Sequence, residues 1–290
     1  MNMAKKPAKR TKQLNRSTAG NIGVIIVLSL FGAFMLLPMI YSVCQALKPM
    51  DELFVFPPRF FVRNPTLKSF RDLFRLIGDQ TIPFSRYIFN TVLISVTGTF
   101  GHVIIASMAA YAFAKMHFPG SKWMFQTIVT ALLFNATVLG IPSFMVFTWL
   151  GLLDNPLVII LPAWQSTLGL YLMKQNMESI QDAVLEAARI DGAGEFRIFF
   201  GIVMPTMKPA WLTLIVLSFS GLWNTGAVNT IYSENWKTLN YAMSQILAGG
   251  IARTNAAAAA SVVMMIVPIA VFIFTQSNVV ETMGSSGMKE

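Results

Sequence analysis

Two histidines (His102 and His117) and one cysteine (Cys44) are the whole supply of imidazole and thiol in this chain. There is no H-E-x-x-H pair, no cysteine–histidine arrangement, and no pair of carboxylates inside an apolar stretch, so hydrolytic and acid–base catalysis lack their groups. A G-x-x-x-x-G-K-[ST] loop for nucleotide phosphates is also missing: Gly120-Ser121-Lys122 comes nearest and lacks the upstream glycine. What the apolar stretches do contain is neutral recognition chemistry, in Asn135, Trp164, Gln165, Tyr171, Trp223 and Asn224. Amides hydrogen-bond neutral polar groups and aromatic faces stack on apolar surfaces, which suits an uncharged polar ligand better than charges would. The same residues also serve as glue between membrane helices or as interfacial belts, and that alternative stands beside the first for each of them.

The elements that must hold these residues are set by where charge is absent. Of 290 residues, 54% are hydrophobic and 12% charged, with a mean hydropathy of +0.59. Soluble domains carry about 25% charged residues, so an integral membrane protein is expected. A helix crosses the hydrocarbon core in roughly 20 apolar residues. Six runs free of Asp, Glu, Lys and Arg are long enough: 17–47, 87–114, 123–153, 155–173, 209–233 and 254–280. A seventh, 238–252, is short, carries Asn240, Gln245 and Gly249-Gly250, and reads as a loop or interfacial segment. Pro38, Pro142, Pro162 and Pro268 fall within the runs, as kinks that neighbouring helices can satisfy. The expectation is therefore an all-α membrane protein of six transmembrane helices. Its divisions are a basic tail at 1–16, a first span at 17–47, an extracytoplasmic loop at 48–86, a core of spans 2–6 at 87–280, and a tail at 281–290.

Orientation follows the basic residues. The net charge is +9, and Lys5, Lys6, Lys9, Arg10, Lys12 and Arg16 precede the first run, which is too long for a signal peptide's apolar region. With that tail inside, thirteen Lys and Arg lie on the inner side and nine on the outer. Both termini are then cytoplasmic. No basic stripe interleaved with aromatics follows, so nucleic acid is not an expected partner. The 48–86 loop is itself basic, with seven cations against four acids, and its surplus would favour an acidic ligand. Within it, a short helix from Leu67 to Leu76 is predicted, with Phe70 and Phe74 on one face.

Between the fourth and fifth runs, 175–208 is too regular for a linker. Ser179 and Asp182 have the spacing of a capping pair, and Ile180, Val184 and Ala187-Ala188 recur at helical spacing. Gly192 is placed to end that helix, and Phe196, Phe199, Phe200 and Val203 outline a second, bounded by Pro205 and Pro209. A helix–turn–helix outside the bilayer results. Its small residues (Ala187, Ala188, Gly192, Ala193), ringed by Glu186, Arg189 and Asp191, invite close approach of a partner. An amphipathic helix lying on headgroups is the equal alternative.

These residues carry a resemblance. Glu186-Ala187-Ala188, Asp191-Gly192-Ala193, Phe199, Ile202, Pro205 and Pro209 resemble the cytoplasmic EAA signature of binding-protein-dependent ABC importer permeases. Ala109-Ala110-Tyr111-Ala112-Phe113-Ala114-Lys115 with Phe118-Pro119-Gly120, then Gly151-Leu152-Leu153-Asp154 and Trp223-Asn224, look like the carbohydrate branch. There the chain is similar to the smaller six-span subunit of maltose-type importers. The resemblance implies a second permease subunit (a paralogue), two copies of an ABC ATPase that hold ATP and Mg, an extracytoplasmic sugar-binding protein, and an oligosaccharide as cargo. It implies a bacterial plasma-membrane location, no cofactor on this chain, and no enzymatic activity of its own. Glu186, Ala187, Ala188, Asp191, Gly192, Ala193, Phe199 and Pro205 would couple to the ATPase. The rival is an ion-coupled sugar carrier. It would need an ionisable group at membrane depth, and His102 is the one candidate in the six runs.

Overall fold

The computed structural model describes residues 18–78, 82–134, 138–226 and 230–286. Asn135, the tail 1–16 and residues 287–290 lie outside them. Among the described residues every regular element is a helix and there is no strand. Three charge-free runs become single long helices: α1 (Thr18–Leu47), α3 (Phe84–Lys115) and, last in the chain, α12 (Thr254–Ser286), with Pro38 inside α1 and Pro268 inside α12. Between α1 and α3 lies α2 (Lys68–Gly78).

The other runs are broken, each for a readable reason. The 123–153 run, expected to be one span, is divided into α4 (Ser121–Thr130) and α5 (Gly140–Trp149). A short 3-10 turn at Ala131–Leu133 ends in extended backbone at Phe134. Pro142 sits in the first turn of α5, where a missing N–H costs nothing, so it favours a fresh start over a continuous helix. The 155–173 run is α6 (Leu157–Trp164) followed by α7 (Thr167–Met177), interrupted three residues after Pro162. Together they still reach span length, Leu157–Met177.

The 175–208 segment forms α8 (Asp182–Ile190) and α9 (Glu195–Thr206), and α10 (Lys208–Trp223) leaves α9 at a bend of 80°. Pro205 has no N–H for the carbonyl of Gly201, and the backbone through Phe199–Val203 widens into a π turn. α10 ends at Trp223, ten residues short of its charge-free run. The 238–252 run, expected to be loop, contains α11 (Leu239–Leu247), which Thr238 caps by accepting from the Tyr241 N–H at 3.3 Å. Leu239, Met243 and Ile246 recur at helical spacing and are all buried, which a count of polar residues could not reveal. By length and apolar composition four described stretches can cross a membrane, and a fifth is added if bent α9–α10 counts as one.

The long helix α3 is the hub, packing on α6, α7, α10 and α11, while α12 packs on α1, α2, α10 and α11. Small residues on α3 let its neighbours come close. A β-carbon on Gly101 would lie 2.1 Å from the Trp164 indole nitrogen, and one on Gly98 2.6 Å from Leu222. At the Lys115 end of α3 the core joins Ala110 and Tyr111 to Met173, Met177, Leu185, Ile198 and Val203, so α8 and α9 are seated there. At the Phe84 end it joins Tyr87 to Leu73 of α2 and to Met243 and Ile246 of α11. The 48–78 and 182–206 segments therefore lie at opposite ends of α3.

The loop after α1 is built. The buried Lys48 ammonium reaches the Arg59 carbonyl and lies 5.5 Å from the Tyr41 ring centre, and the Glu52 carboxylate accepts from the Arg63 N–H at 2.9 Å. In α2 the buried face is Ser69 and Leu73; Phe70 is half-buried, whereas Phe74, expected beside it, is exposed. Gly151 and Asp154 turn the chain with positive φ (66° and 59°). The Asp154 carboxylate then accepts from the N–H groups of Tyr232 and Ser233, at 3.0 and 2.8 Å, tying two distant loops together.

Candidate functional site

Helix α8 begins without the capping pair read from the sequence. The Ser179 hydroxyl instead donates to the Asn176 carbonyl at the end of α7, and Gln181 precedes α8 without a side-chain cap. The far end is closed by glycine. Gly192 sits at φ 80°, its N–H donates to the Arg189 carbonyl and that of Ala193 to the Ala188 carbonyl, both at 3.0 Å. This left-handed closure satisfies the last carbonyls and turns the chain into α9.

The signature residues divide into two rows. Glu186, Ala187, Asp191 and Gly192 are exposed at the tip, together with Ile190, which is 87% exposed. Ala188 and Ala193 are half-buried against the core, and Phe199 is buried against Tyr111 with ring centres 5.7 Å apart. Pro205 is exposed behind the π turn. Phe199 thus supports the tip from beneath. Arg189, also exposed, donates from Nε to Glu195 Oε1 at 2.7 Å.

Two polar straps hold this handle to α3. Glu195 accepts from Arg189 and, through Oε2, from the Tyr111 hydroxyl at 2.5 Å. Lys115 Nζ donates to the Ile180 carbonyl at 2.7 Å and to Asp182 Oδ1 at 2.8 Å. The Lys115 side chain is 5% exposed and that of Asp182 73%, so the cation is the buried partner. Its hydrogen bond and charge hold the Asp182 carboxyl below the usual carboxylate range. Neither strap was read from the sequence. The only signals were Tyr111 and Lys115 spaced one helical turn apart at the end of a span.

The residues singled out for a substrate pathway are not brought together. Trp164 packs on Gly101 and donates to the Thr97 carbonyl at 3.2 Å. Trp223 is buried, donates to the Met264 carbonyl at 3.1 Å and stacks on Phe219. Tyr171 stacks on Phe125 at 6.5 Å. All three make packing contacts between helices. Gln165 is exposed at the α6–α7 break, and Asn224, exposed after α10, caps that helix by donating to the Ser220 carbonyl at 2.8 Å. A mainly apolar hollow of about 510 Å³, open on one side, lies between α3, α6, α7 and α10, with His102, Ser166, Ser218 and Thr225 among its lining residues.

A bundle of long apolar helices with a charged handle strapped to one end of its central helix is the architecture of a membrane transport subunit. Residues 102–283 match the family described as binding-protein-dependent transport system inner membrane component, and the chain belongs to it. It is 26% identical over 212 residues to the inner membrane ABC transporter permease protein YcjP of Escherichia coli (72% of this chain, 75% of that protein). To the arabinooligosaccharides transport system permease protein AraQ of Bacillus subtilis it is 27% identical, covering 91% of this chain and 95% of that one. To the sn-glycerol-3-phosphate transport system permease protein UgpE of Yersinia enterocolitica it is 29% identical, covering 69% and 73%. Its fold matches a chain of a bacterial ABC transporter involved in import of the acidic polysaccharide alginate, with a TM-score of 0.74 at 24% identity over 91% of this chain and 99% of that one.

Proposed function

We propose that this chain is one of two transmembrane subunits of an ATP-driven importer that carries an oligosaccharide inward by alternating access. In this reading the membrane is crossed six times, with α4 and α5 together making the third crossing and α10 the fifth, and both termini are cytoplasmic. The handle at 175–208 then faces the cytoplasm. Its exposed row (Glu186, Ala187, Asp191, Gly192) docks on a partner ATPase that binds ATP and Mg, while Ala188, Ala193, Phe199 and Pro205 hold that row in shape. Closure of two ATPase copies moves the handle, and α3 carries the motion through Tyr111 and Lys115 towards the outer end, where an extracytoplasmic sugar-binding protein delivers cargo. The sugar names borne by AraQ and the alginate importer support a carbohydrate cargo. The exposed cations Arg59, Arg63, Lys68, Arg71 and Arg75 support attraction of an acidic one.

The observation that carries the proposal is the exposed, bare tip mounted on a strapped base, because a helix that merely rested on lipid headgroups would not need Glu195 and Lys115 to fix its register. The rival ion-coupled carrier depends on His102, whose Nδ1 already lies 3.0 Å from the Ser218 hydroxyl. The test is uptake by proteoliposomes holding the purified complex, with Glu186→Lys and Gly192→Pro as variants. ATP-dependent uptake in the wild type, reduced at least about tenfold in both variants together with receptor-stimulated ATP hydrolysis, is expected. Normal uptake and hydrolysis in both would discard the docking role. Uptake that follows a proton gradient without ATP would favour the rival.

A further inference from the structure

We infer that Trp211 locks the elbow between α9 and α10, so that the handle and α10 move as one body and sugar transport stays tied to ATP hydrolysis. The inference rests on the permease reading above and adds a positioning residue to it.

The main chain at this elbow is weakly held. Pro205 and Pro209 bring no N–H to the carbonyls four residues back, and Met207 between them leaves helical geometry at φ −90° and ψ 18°. Main-chain bonds meet at Met207 from either side. Its N–H donates to the Val203 carbonyl at 3.0 Å, and its carbonyl accepts from the N–H groups of Ala210 and Trp211 at 3.0 and 3.2 Å. An 80° bend that pivots on one such residue needs a further restraint to keep its angle under load.

The Trp211 side chain supplies one. From the first turn of α10 its indole N–H reaches back across the bend and donates to the Met204 carbonyl in α9 at 3.0 Å. The ring lines an apolar groove of about 440 Å³ together with Met204, with Ile215 and Phe219 of α10, and with Phe100 and Val103 of α3. A hydrogen bond in such surroundings is stronger than one in water, so this bond is a strut between the two arms of the elbow. Tyr111 and Lys115 fasten the handle to α3, and Trp211 fastens it to α10. A push on the handle then turns both long helices together. Without the strut the handle swings about Met207 while α10 stays behind, and ATP is hydrolysed without moving cargo.

The test uses the assembled complex, with nitroxide labels on Arg197→Cys in α9 and Leu217→Cys in α10, both exposed positions, in a Cys44→Ser background. The label-to-label distance, read by electron double resonance, should be the same in nucleotide-free and vanadate-trapped complexes. Trp211→Phe removes the N–H. The amino acid 3-benzothienylalanine at position 211 removes it while keeping the bicyclic ring, so misfolding of the first variant does not decide the outcome. The isostere should broaden the distance distribution. In proteoliposomes with the receptor and labelled alginate pentasaccharide or labelled maltopentaose, it should lower the sugar imported per ATP hydrolysed at least about threefold, the loss of one hydrogen bond, with KM within about twofold. A ring that merely packs would move neither reading in the isostere. A wild-type distribution or a wild-type ratio with the isostere therefore overturns the lock while leaving the permease reading intact, whatever Trp211→Phe does. A wild-type distance that shifts between the two states would show a working hinge and overturn it as well. ATP-dependent import of neither sugar by the wild type removes the permease reading and the coupling role with it, and the label distances still decide whether the elbow is rigid.

Discussion

Lys115 and Asp182 are unequal partners, and their inequality sets what each substitution should do. Asp182 is mostly solvated, so its half of the pair contributes little. Lys115 is buried and also serves the Ile180 carbonyl, so removing it orphans a main-chain acceptor. Asp182→Asn should leave the melting temperature of the purified complex nearly unchanged, whereas Lys115→Met should destabilise the handle by about 2 kcal/mol, read as faster proteolysis within 175–208. The sign of the pH effect follows from the depressed Asp182 carboxyl. Such a group contributes stability that is present above its unfolded pKa, about 3.9, and lost as pH falls through its lower folded value. Because that contribution is small, proteolytic protection of α8 should be flat from roughly pH 5 upward and weaken only slightly in stronger acid. Protection that fell away between neutrality and about pH 5 would mean that another group closes the strap. Gly192 is a second residue-scale case. At φ 80° a β-branched side chain is strained, so Gly192→Val should cost about 1–2 kcal/mol in the handle and cut uptake more than Gly192→Ala. Uptake assays on the pair would show it.

At the scale of elements, α3 was legible because a bilayer-length apolar run flanked by Arg86 and Lys115 has few alternatives to one helix. The same holds for α1 and α12. The broken runs were not legible, because absence of charge is silent about where a helix stops. The α6–α7 break follows Pro162 by three residues, and the close approach of His102 to Gly169 just beyond it depends on α3 passing alongside. The handle shows the same division: Gly192 was readable as a helix end from its type alone, but the Tyr111–Glu195 bond joins residues far apart in the chain and needed the fold. Trp164 and Trp223 could not be assigned from residue type for a related reason, since an indole inside an apolar run looks the same whether it faces a ligand or a neighbouring helix. The Gly101–Trp164 contact makes that packing role testable. A methyl group on Gly101 would overlap the indole, so Gly101→Ala should lower the stability of the purified chain by about 1–3 kcal/mol. Pairing it with Trp164→Phe should recover part of the loss, and thermal unfolding in detergent reads both. A Gly101→Ala variant as stable as the wild type would mean that α3 and α6 stand farther apart than the structure has them.

For the whole molecule, α3 is the part that gives distance a function. At 1.5 Å per residue its 32 residues reach about 48 Å, well beyond a hydrocarbon core of about 30 Å, so its two ends must emerge on opposite sides if it crosses at all. One end holds the handle through Tyr111 and Lys115. The other is tied to the loop before α11, where Asn90 donates to the Asn235 carbonyl at 2.7 Å and the Thr91 hydroxyl accepts from the Leu239 N–H at 2.7 Å. His102 lies between them on the same rod. A force on the handle therefore reaches the cavity and the far loop through one continuous helix, with no flexible joint in between. That geometry makes sidedness the decisive property of the molecule. Ile190 at the handle tip is 87% exposed and Phe56 in the loop after α1 is 92% exposed, so a cysteine at either position should react without disturbing the core. In a Cys44→Ser background and intact cells, a membrane-impermeant maleimide should label Phe56→Cys and spare Ile190→Cys. Inside-out vesicles should give the reverse. Labelling of both positions from one side would require α3 not to cross the membrane. Labelling of Ile190→Cys from outside the cell would put the handle out of reach of any ATP-hydrolysing partner and end the coupling mechanism.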